Sequence, residues 1–279
     1  MSLKNTAKFV SALLRTRYKV KITGLDLLKS EQSSLYLPNH PAEVDPQILL
    51  AEIAKYDQAV PMISETYYNL PIIKSFMKII EAVPVADMDA GSRDVNVLEN
   101  MRNAMLGALR SGKSILLYPS GQLSQKGYEV IRNKQSAYKI VLELDDNIRI
   151  IGVRQHGLWG SIWSRAWWGK SPNFFKVFAL SVFYVLANFI FFVPKRSVEI
   201  EFVDITKEAK EKAHSSTRQE FNKYLESFYN VKGEEKARFI KHFFYAPKLR
   251  REFPKNIKGE INKDNKLEFF TIEEANQKG

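Results

Sequence analysis

Residues 34–45 read Ser-Leu-Tyr-Leu-Pro-Asn-His-Pro-Ala-Glu-Val-Asp, and this stretch carries three structural signals in a row. The run from Ser34 to Leu37 is short and apolar, which predicts a β-strand. A turn with Asn39 and His40 follows. Asp45 then precedes Pro46, a pair typical of the first residues of a helix. A strand that passes through a turn directly into a helix is typical of α/β folds, where loops at strand ends form the functional sites.

His40 and Asp45 are the residues of this stretch with catalytic chemistry. A carboxylate can fix the tautomer of an imidazole and stabilise the imidazolium, while the other ring nitrogen removes a proton from a hydroxyl group. Five residues correspond to about 140° of rotation on a regular helix, so the pairing requires the turn. In the alternative interpretation, Asp45 only caps the helix, and Asn39 and His40 are simple turn residues.

Other apolar segments on both sides of this stretch predict an α/β fold with helices that flank a central sheet. Val198, Ile200 and Phe202 alternate with glutamates, as in an edge or half-exposed strand. The expected strands are Tyr18–Ile22, Ser34–Leu37, Val60–Ile63, Ile115–Tyr118, Ile148–Val153 and 198–202. The expected helices are 3–17, Gln47–Tyr56, Ile72–Ile80 and a helix from an N-cap at Ser92 to Leu109.

Composition restricts the classes of function. The chain has 279 residues, no cysteine, and 42 Lys plus Arg against 31 Asp plus Glu, which gives a net charge of +11. The lack of cysteine excludes disulfides, a thiolate nucleophile and a zinc site with Cys ligands. The positive charge favours an anionic partner. Because no nucleic-acid-binding signature is present, a membrane surface is preferred over nucleic acid.

Two segments are candidates for contact with a membrane. Residues 3–17 predict a short basic helix that either lies on a membrane or packs on its own domain. Residues 177–193 hold no charge and follow an aromatic and basic run with Trp159, Trp163, Trp167 and Trp168 that resembles an interfacial belt. The apolar run predicts a buried core element, a docking or re-entrant segment, or a membrane span. We expect one domain over 1–230 and a basic extension or linker over 231–279.

The motifs of the chain resemble those of the glycerolipid acyltransferases. Asn39 to Asp45 fits their N-H-x-x-x-x-D signature. Leu116 to Ser124 (LLYPSGQLS) resembles the F-P-E-G-T-R-S block, and Ile150 to Gly157 falls where the family has a V-P-V-x-x-x-G strand. Val83-Pro84-Val85, followed by Asp89 and Arg93, lies where a further block supplies an arginine. The P-S-G-Q piece and Gly157 to Ser161 are most similar to bacterial bifunctional proteins that fuse a 2-acylglycerophosphoethanolamine acyltransferase to an acyl-carrier-protein synthetase.

The resemblance implies a mixed, largely parallel sheet and transfer of an acyl group from acyl-CoA or acyl carrier protein to a lysophospholipid. His40 is then the general base and Asp45 its partner. No cofactor or metal is implied beyond the acyl thioester as co-substrate. The candidate substrate-binding residues are Asn39, Ser120, Gly121, Gln122, Arg93 and Arg154, and the two arginines are either ligands of a lipid phosphate or surface residues. The implied location is peripheral or monotopic, on the cytoplasmic face of the bacterial inner membrane.

Ser120 stands where the family usually has Glu, and Gln122-Leu123 where it has Thr-Arg, so the acceptor need not be lysophosphatidic acid. Two alternatives to acyl transfer remain open. Ser120 with His40 and Asp45 would form the triad of a lipid or thioester hydrolase. In the second alternative, the protein is a basic membrane-binding module without catalytic activity.

Overall fold

The computed structural model describes residues 3–64, 83–85, 95–245 and 266–270. Within these ranges, seven strands form one sheet and two short strands form a separate pair. The sheet contains β1 (Tyr18–Thr23), β2 (Ser34–Pro38), β3 (Ala59–Ser64), β4 (Val83–Val85), β5 (Ser114–Leu116), β6 (Arg149–His156) and β7 (Arg196–Asp204). The separate pair is β8 (Glu234–Glu235) and β9 (Phe269–Phe270).

The sheet has the strand order β1-β7-β6-β2-β5-β3-β4. Neighbours are parallel except at β6–β7, where Ile151 is registered with Asp204 in an antiparallel ladder. The prediction of a mixed, largely parallel sheet is therefore confirmed. Since β2, β5 and β6 are parallel neighbours, their carboxyl ends meet at one edge of the sheet.

Helices cover both faces of the sheet. On one face, α3, α4, α7 and α8 pack against a core that includes Leu35, Ile115 and Ile150. On the other face, α1, α2, α5 and α6 pack against a core that includes Tyr36, Leu116 and Ile151. The helices are α1 (Leu3–Arg17), α2 (Asp45–Ile53), α3 (Val95–Arg110), α4 (Ser136–Leu142), α5 (Arg165–Trp168), α6 (Phe174–Ala187), α7 (Thr206–Ser215) and α8 (Arg218–Tyr229), with a 3₁₀ helix at Leu25–Lys29.

All six predicted strands are present, but the position of one is different from its prediction. Strand β7 alternates between buried and half-buried residues, which confirms a half-exposed strand. It lies between β1 and β6, so its prediction as an edge strand is wrong. Strand β1 pairs with the outer side of β7, and the alternation of residues within β7 does not predict this long-range pairing. The predicted helix 72–80 and the N-cap Ser92 lie outside the described residues.

The apolar run at 177–193 forms most of α6 and the turn that follows it. Val177 is buried, while the large side chains along the outer face of the helix are exposed, so the run is not a core element. None of the described helices combines the length and the apolar character that crossing a bilayer requires. Docking of this segment on a membrane stays a prediction.

The interfacial belt predicted for the tryptophans is wrong. Trp159, Trp163 and Trp167 are buried, and Trp163 and Trp167 belong to the core under α2 and α6. Trp168 is half-buried, with the Lys176 ammonium 5.1 Å from its ring centroid. The run is apolar because it packs inside the domain, and composition alone does not distinguish such packing from a lipid contact.

Part of the segment after residue 230 contacts the rest of the domain closely. Arg238 is buried and donates to the carbonyl oxygen of Gly157 at 2.7 Å. Arg196 is also buried and donates to the carbonyl of Arg238 at 2.7 Å, and burial lowers the pKa of Arg196 to about 9. Glu235 accepts two bonds of 3.0 Å from the amide of Gly157. The domain boundary at 230 stays a prediction.

Candidate active site

The end of strand β2 is fixed to β6 by Asn39. Its side-chain amide donates to the Gln155 carbonyl at 2.9 Å and accepts from the Gln155 amide at 2.7 Å, while the Gln155 side chain donates to the Asn39 carbonyl at 3.0 Å. Asn39 was predicted to bind substrate. In the structure its amide group bonds to Gln155 and holds the turn that presents the next residue, His40, while its binding of substrate stays a prediction.

His40 and Asp45 form a hydrogen-bonded pair at this turn. The imidazole Nδ1 lies 2.9 Å from Asp45 Oδ2. The irregular turn at 41–44 makes this contact possible, since Asp45 is the first residue of α2. With Nδ1–H donating to the carboxylate, Nε2 carries the lone pair. The His40 side chain is 16% exposed and that of Asp45 is 0% exposed, so the pair presents only the imidazole to the outside.

Two further donors fix the Asp45 carboxylate. Oδ2 also accepts from the amide of Ala42 at 3.0 Å, and Oδ1 accepts from the Tyr118 hydroxyl at 2.6 Å. Burial, and then the nearby Asp45 charge, raise the pKa of Tyr118 well above its ordinary value, so this hydroxyl stays neutral and donates. The Tyr118 ring lies 4.4 Å from the imidazole, centroid to centroid. A carboxylate held by three donors keeps its position while the imidazole exchanges protons.

The charges around His40 favour its protonated form. Burial lowers the pKa of the imidazole, but the Asp45 charge and hydrogen bond, with the charges of Glu43 and Glu129, outweigh burial and raise the pKa above its ordinary value. A general base with a raised pKa takes a proton more readily, provided that the pH leaves it neutral before the reaction. The site is therefore built to form an imidazolium.

The predicted residues Ser120, Gly121 and Gln122 follow β5 next to this pair. The buried Ser120 hydroxyl donates to the Gln122 carbonyl at 2.9 Å, rather than to His40, so the structure does not assemble the triad of a hydrolase. Gly121 has a φ of +59°, and its amide donates to the Tyr118 carbonyl at 3.1 Å, so it is not a free donor for an oxyanion. The segment 118–122 contacts the pair of His40 and Asp45, called the dyad below, through the Tyr118 side chain.

Glu129 is a site residue that sequence reasoning missed. Its Oε2 accepts from the His40 amide at 3.1 Å and from the Ser124 hydroxyl at 2.5 Å. Burial raises the pKa of Glu129, and the hydroxyls of Ser120 and Ser124 act in the opposite direction. No sequence motif surrounds Glu129. The irregular segment that contains it folds back to the His40 turn, and this return is not visible in the sequence. Tyr118 was also missed, although its position directly before the P-S-G-Q piece was a signal.

A small cavity of about 20 Å³ lies beside the His40 turn, with Asn39, Ser124, Glu129 and Gln155 in its lining. Glu129 Oε1 and Gln155 Oε1 are buried and have no hydrogen-bond partner in the described part of the chain. A space of this size holds about one water molecule, which would need such polar partners.

Of the two predicted arginines, the structure describes Arg154, which has no recorded contact with His40 or Asp45. Arg154 pairs with Glu201 at 3.3 Å, and its guanidinium lies 4.5 Å from the ring centroid of Phe228. Its binding of a lipid phosphate stays a prediction, without a contact to His40 or Asp45. Arg93 lies outside the described residues. In the parts of the chain that the structure covers, no group of three His, Asp or Glu side chains is arranged to hold a metal ion.

Two comparisons with known proteins gave matches. Residues 19–154, which contain the dyad and the Ser120 segment, match the model of the Acyltransferase family. A solved structure, the 1-acyl-sn-glycerophosphate (LPA) acyltransferase PlsC from Thermotoga maritima, superposes with a TM-score of 0.52 at 17% identity and covers 81% of this chain and 76% of that chain. At this identity the likeness shows a shared fold. The curated proteins contain no match.

Proposed function

On the premise that this chain is an O-acyltransferase, we propose that it transfers a fatty acyl group from an acyl thioester to the free hydroxyl of a lysophospholipid. The observation that carries the proposal is the contact of 2.9 Å between His40 Nδ1 and a fully buried Asp45. The family match and the fold shared with an LPA acyltransferase support the glycerolipid class of acceptor.

The geometry supports a general-base mechanism without an acyl-enzyme. His40 Nε2 removes the proton from the acceptor hydroxyl as the oxygen attacks the thioester carbonyl, and Asp45 stabilises the imidazolium that forms. When the tetrahedral intermediate collapses, the new C–O bond remains and the C–S bond breaks. The imidazolium then returns the proton to the leaving thiolate, so that an ester and a free thiol are produced. The Ser120 hydroxyl, which donates to a backbone carbonyl, takes no part in these steps.

We further propose that the donor is acyl-CoA or acyl carrier protein and that the protein works as a peripheral enzyme on the cytoplasmic face of the bacterial inner membrane. A lysophospholipid stays in the bilayer, so its enzyme must work at the interface. The net charge of +11 supports attraction to anionic head groups, by about 1 kcal/mol for each basic residue near the surface. The similarity of the P-S-G-Q segment to bifunctional acyltransferases makes 2-acylglycerophosphoethanolamine the first acceptor to test.

The test supplies a lysophospholipid with acyl-CoA or acyl carrier protein and measures diacyl product. His40→Ala is expected to reduce turnover by about a thousandfold or more, since general-base catalysis and the charge of the imidazolium are both lost. His214→Ala is the matched control, because His214 is an exposed histidine on α7. If the His40→Ala protein keeps turnover within tenfold of the control, the proposed mechanism is wrong.

A further inference from the structure

The outer surface of α6 and the turn after it expose an unusual number of large apolar side chains. Phe191 is 84% exposed and Phe189 is 68% exposed. We call residues 189–192 the apolar tip. The exposed apolar residues of helix and tip are Phe175, Phe178, Val182, Phe183, Leu186, Phe189, Ile190, Phe191 and Phe192. Contiguous apolar surface of this kind marks a site of interaction with a partner or a membrane.

The backbone of the apolar tip adopts a conformation that large side chains disfavour. Phe189 and Ile190 have φ values of +52° and +65°, in the left-handed region where a β-branched residue is a genuine outlier. Asn188 holds this shape: its fully buried amide donates to the carbonyls of Tyr184 at 2.6 Å and His242 at 2.7 Å, and accepts from the amide of Phe244 at 2.9 Å. Local strain that is maintained by a buried polar anchor is typical of functional segments.

The charges around the tip fit an anionic surface. From residue 147 to residue 198 the sequence contains no Asp or Glu. Lys170 precedes α6, Lys176 lies in its first turn and Lys195 follows the tip, and all three are exposed. Basic residues that flank an apolar surface are attracted to anionic head groups, while the apolar side chains enter the boundary with the acyl chains.

Helix α6 also covers the face of the sheet that the proposed reaction requires, which is the face covered by α2. Val177 of α6 and Ile48 of α2 belong to the same buried core, so both helices cover one face of the sheet. Asp45 begins α2. A bilayer that contacts α6 is therefore on the same side of the sheet as α2 and Asp45.

We propose that the apolar tip inserts into the head-group and acyl-chain boundary of an anionic bilayer, with Phe191 as its most deeply placed side chain, and that α6 lies along the surface behind it. The choice of a lipid partner rests on the proposed function, but insertion itself is independent of turnover. Because Asn188 fixes the tip before contact, the aromatic side chains enter the bilayer without an ordering step of the backbone.

The first experiment measures sedimentation of the full chain with vesicles of equal parts phosphatidylglycerol and phosphatidylcholine. The double variant Phe191→Ser with Phe192→Ser is expected to bind at least tenfold more weakly, since each buried phenylalanine contributes about a factor of ten or more. Val231→Ser is the matched control, because Val231 is 62% exposed and follows α8 on the other face of the sheet. Equal binding of the double variant and the control would overturn the proposal.

The second experiment gives a positive signal. Phe191→Trp is expected to gain tryptophan fluorescence that is quenched by vesicles with brominated acyl chains, whereas Val231→Trp gains fluorescence that is not quenched. The absence of quenching at 191 would also overturn the proposal, and would assign the surface to a protein partner. Diacyl product is measured in parallel: vesicle binding without product would refute the proposed function but leave the insertion intact.

Discussion

Replacing Asp45 with asparagine removes the charge of the dyad while it conserves the shape. Three donors surround the carboxylate: the imidazole, the amide of Ala42 and the hydroxyl of Tyr118. The Ala42 amide, which bonds to Oδ2, can only donate, whereas the Tyr118 hydroxyl can reverse its role and accept, and the imidazole can do so only by changing its tautomer. We therefore expect the asparagine oxygen to stay at the Oδ2 position, with its nitrogen donating to Tyr118. The tautomer of His40 is then retained, and the negative charge alone is lost.

The expected loss of kcat/KM follows from the distance between His40 and Asp45. His40 Nδ1 lies 2.9 Å from the carboxylate oxygen, which places the charge centres roughly 4 Å apart once the imidazolium forms. Their attraction is about 4 kcal/mol at an effective dielectric constant of about 20. The amide dipole recovers part of this energy, so Asp45→Asn is expected to cost about 2–3 kcal/mol in the transition state, or roughly 30- to 150-fold in kcat/KM.

The assay is the pH profile of kcat/KM for Asp45→Asn, Asp45→Ala and the wild type. Because the Asp45 charge raises the pKa of His40, its loss is expected to move the acid limb to lower pH, while the plateau falls. Asp45→Ala should lose about a thousandfold or more, since the Ala42 amide and the imidazole then lack their acceptor. A plateau for Asp45→Asn within threefold of wild type, or an unmoved acid limb, would refute this reasoning.

Further predictions concern Ser120, Glu129 and Gly157, and Gly107 is the control for the last. Ser120→Ala is expected to keep kcat/KM within about tenfold, because its hydroxyl donates to a backbone carbonyl; complete loss would favour a serine hydrolase instead. Glu129→Gln is expected to lower kcat/KM by up to about tenfold and to move the acid limb to lower pH, since its charge raises the pKa of His40; an unchanged limb would contradict this role. Gly157→Ala is expected to cost about 2 kcal/mol or more in urea unfolding, because Gly157 has a φ of +101° and a Cβ there would clash with the Ser197 carbonyl oxygen. Gly107→Ala, in the last turn of α3 where a Cβ would have nothing within 4 Å, should instead stabilise by up to about 1 kcal/mol; if both alanine variants were destabilised, the steric explanation would be wrong.

The parts of the site that are local in sequence were predictable. His40 and Asp45 belong to one turn, and the apolar strand before them and the Asp-Pro pair after them define its ends. The same holds for the α/β class, since six of the seven strands of the sheet carry an apolar pattern of their own, while β4 was not predicted. The spacing indicated that a contact between the two side chains required an irregular turn, but it left open the alternative in which Asp45 only caps the helix.

The contributions that come from distant segments were not predictable in this way. Glu129 reaches the His40 amide across 89 positions, and nothing near it in the sequence marks it as part of a site. Arg154 was predicted to be either a ligand of a lipid phosphate or a surface residue; its contacts are with Glu201 of β7 and Phe228 of α8, and the phosphate role stays a prediction. Composition likewise failed for the tryptophans, because an aromatic run looks the same in a core as at a lipid surface.

The pairing of β1 with β7 has a consequence for how the protein is made. Tyr18 is registered with Arg196, and within the described residues β7 is the sole neighbour of β1. A ribosome adds about 5–20 residues each second, so the first strand waits roughly 10–40 seconds for its partner to emerge. During this time α1 and β1 carry uncovered apolar side chains and an open ladder of amides, the features that chaperones bind and that cause aggregation. The nascent chain is therefore most vulnerable at its beginning, and slowing translation before residue 196 should lower the yield of folded protein.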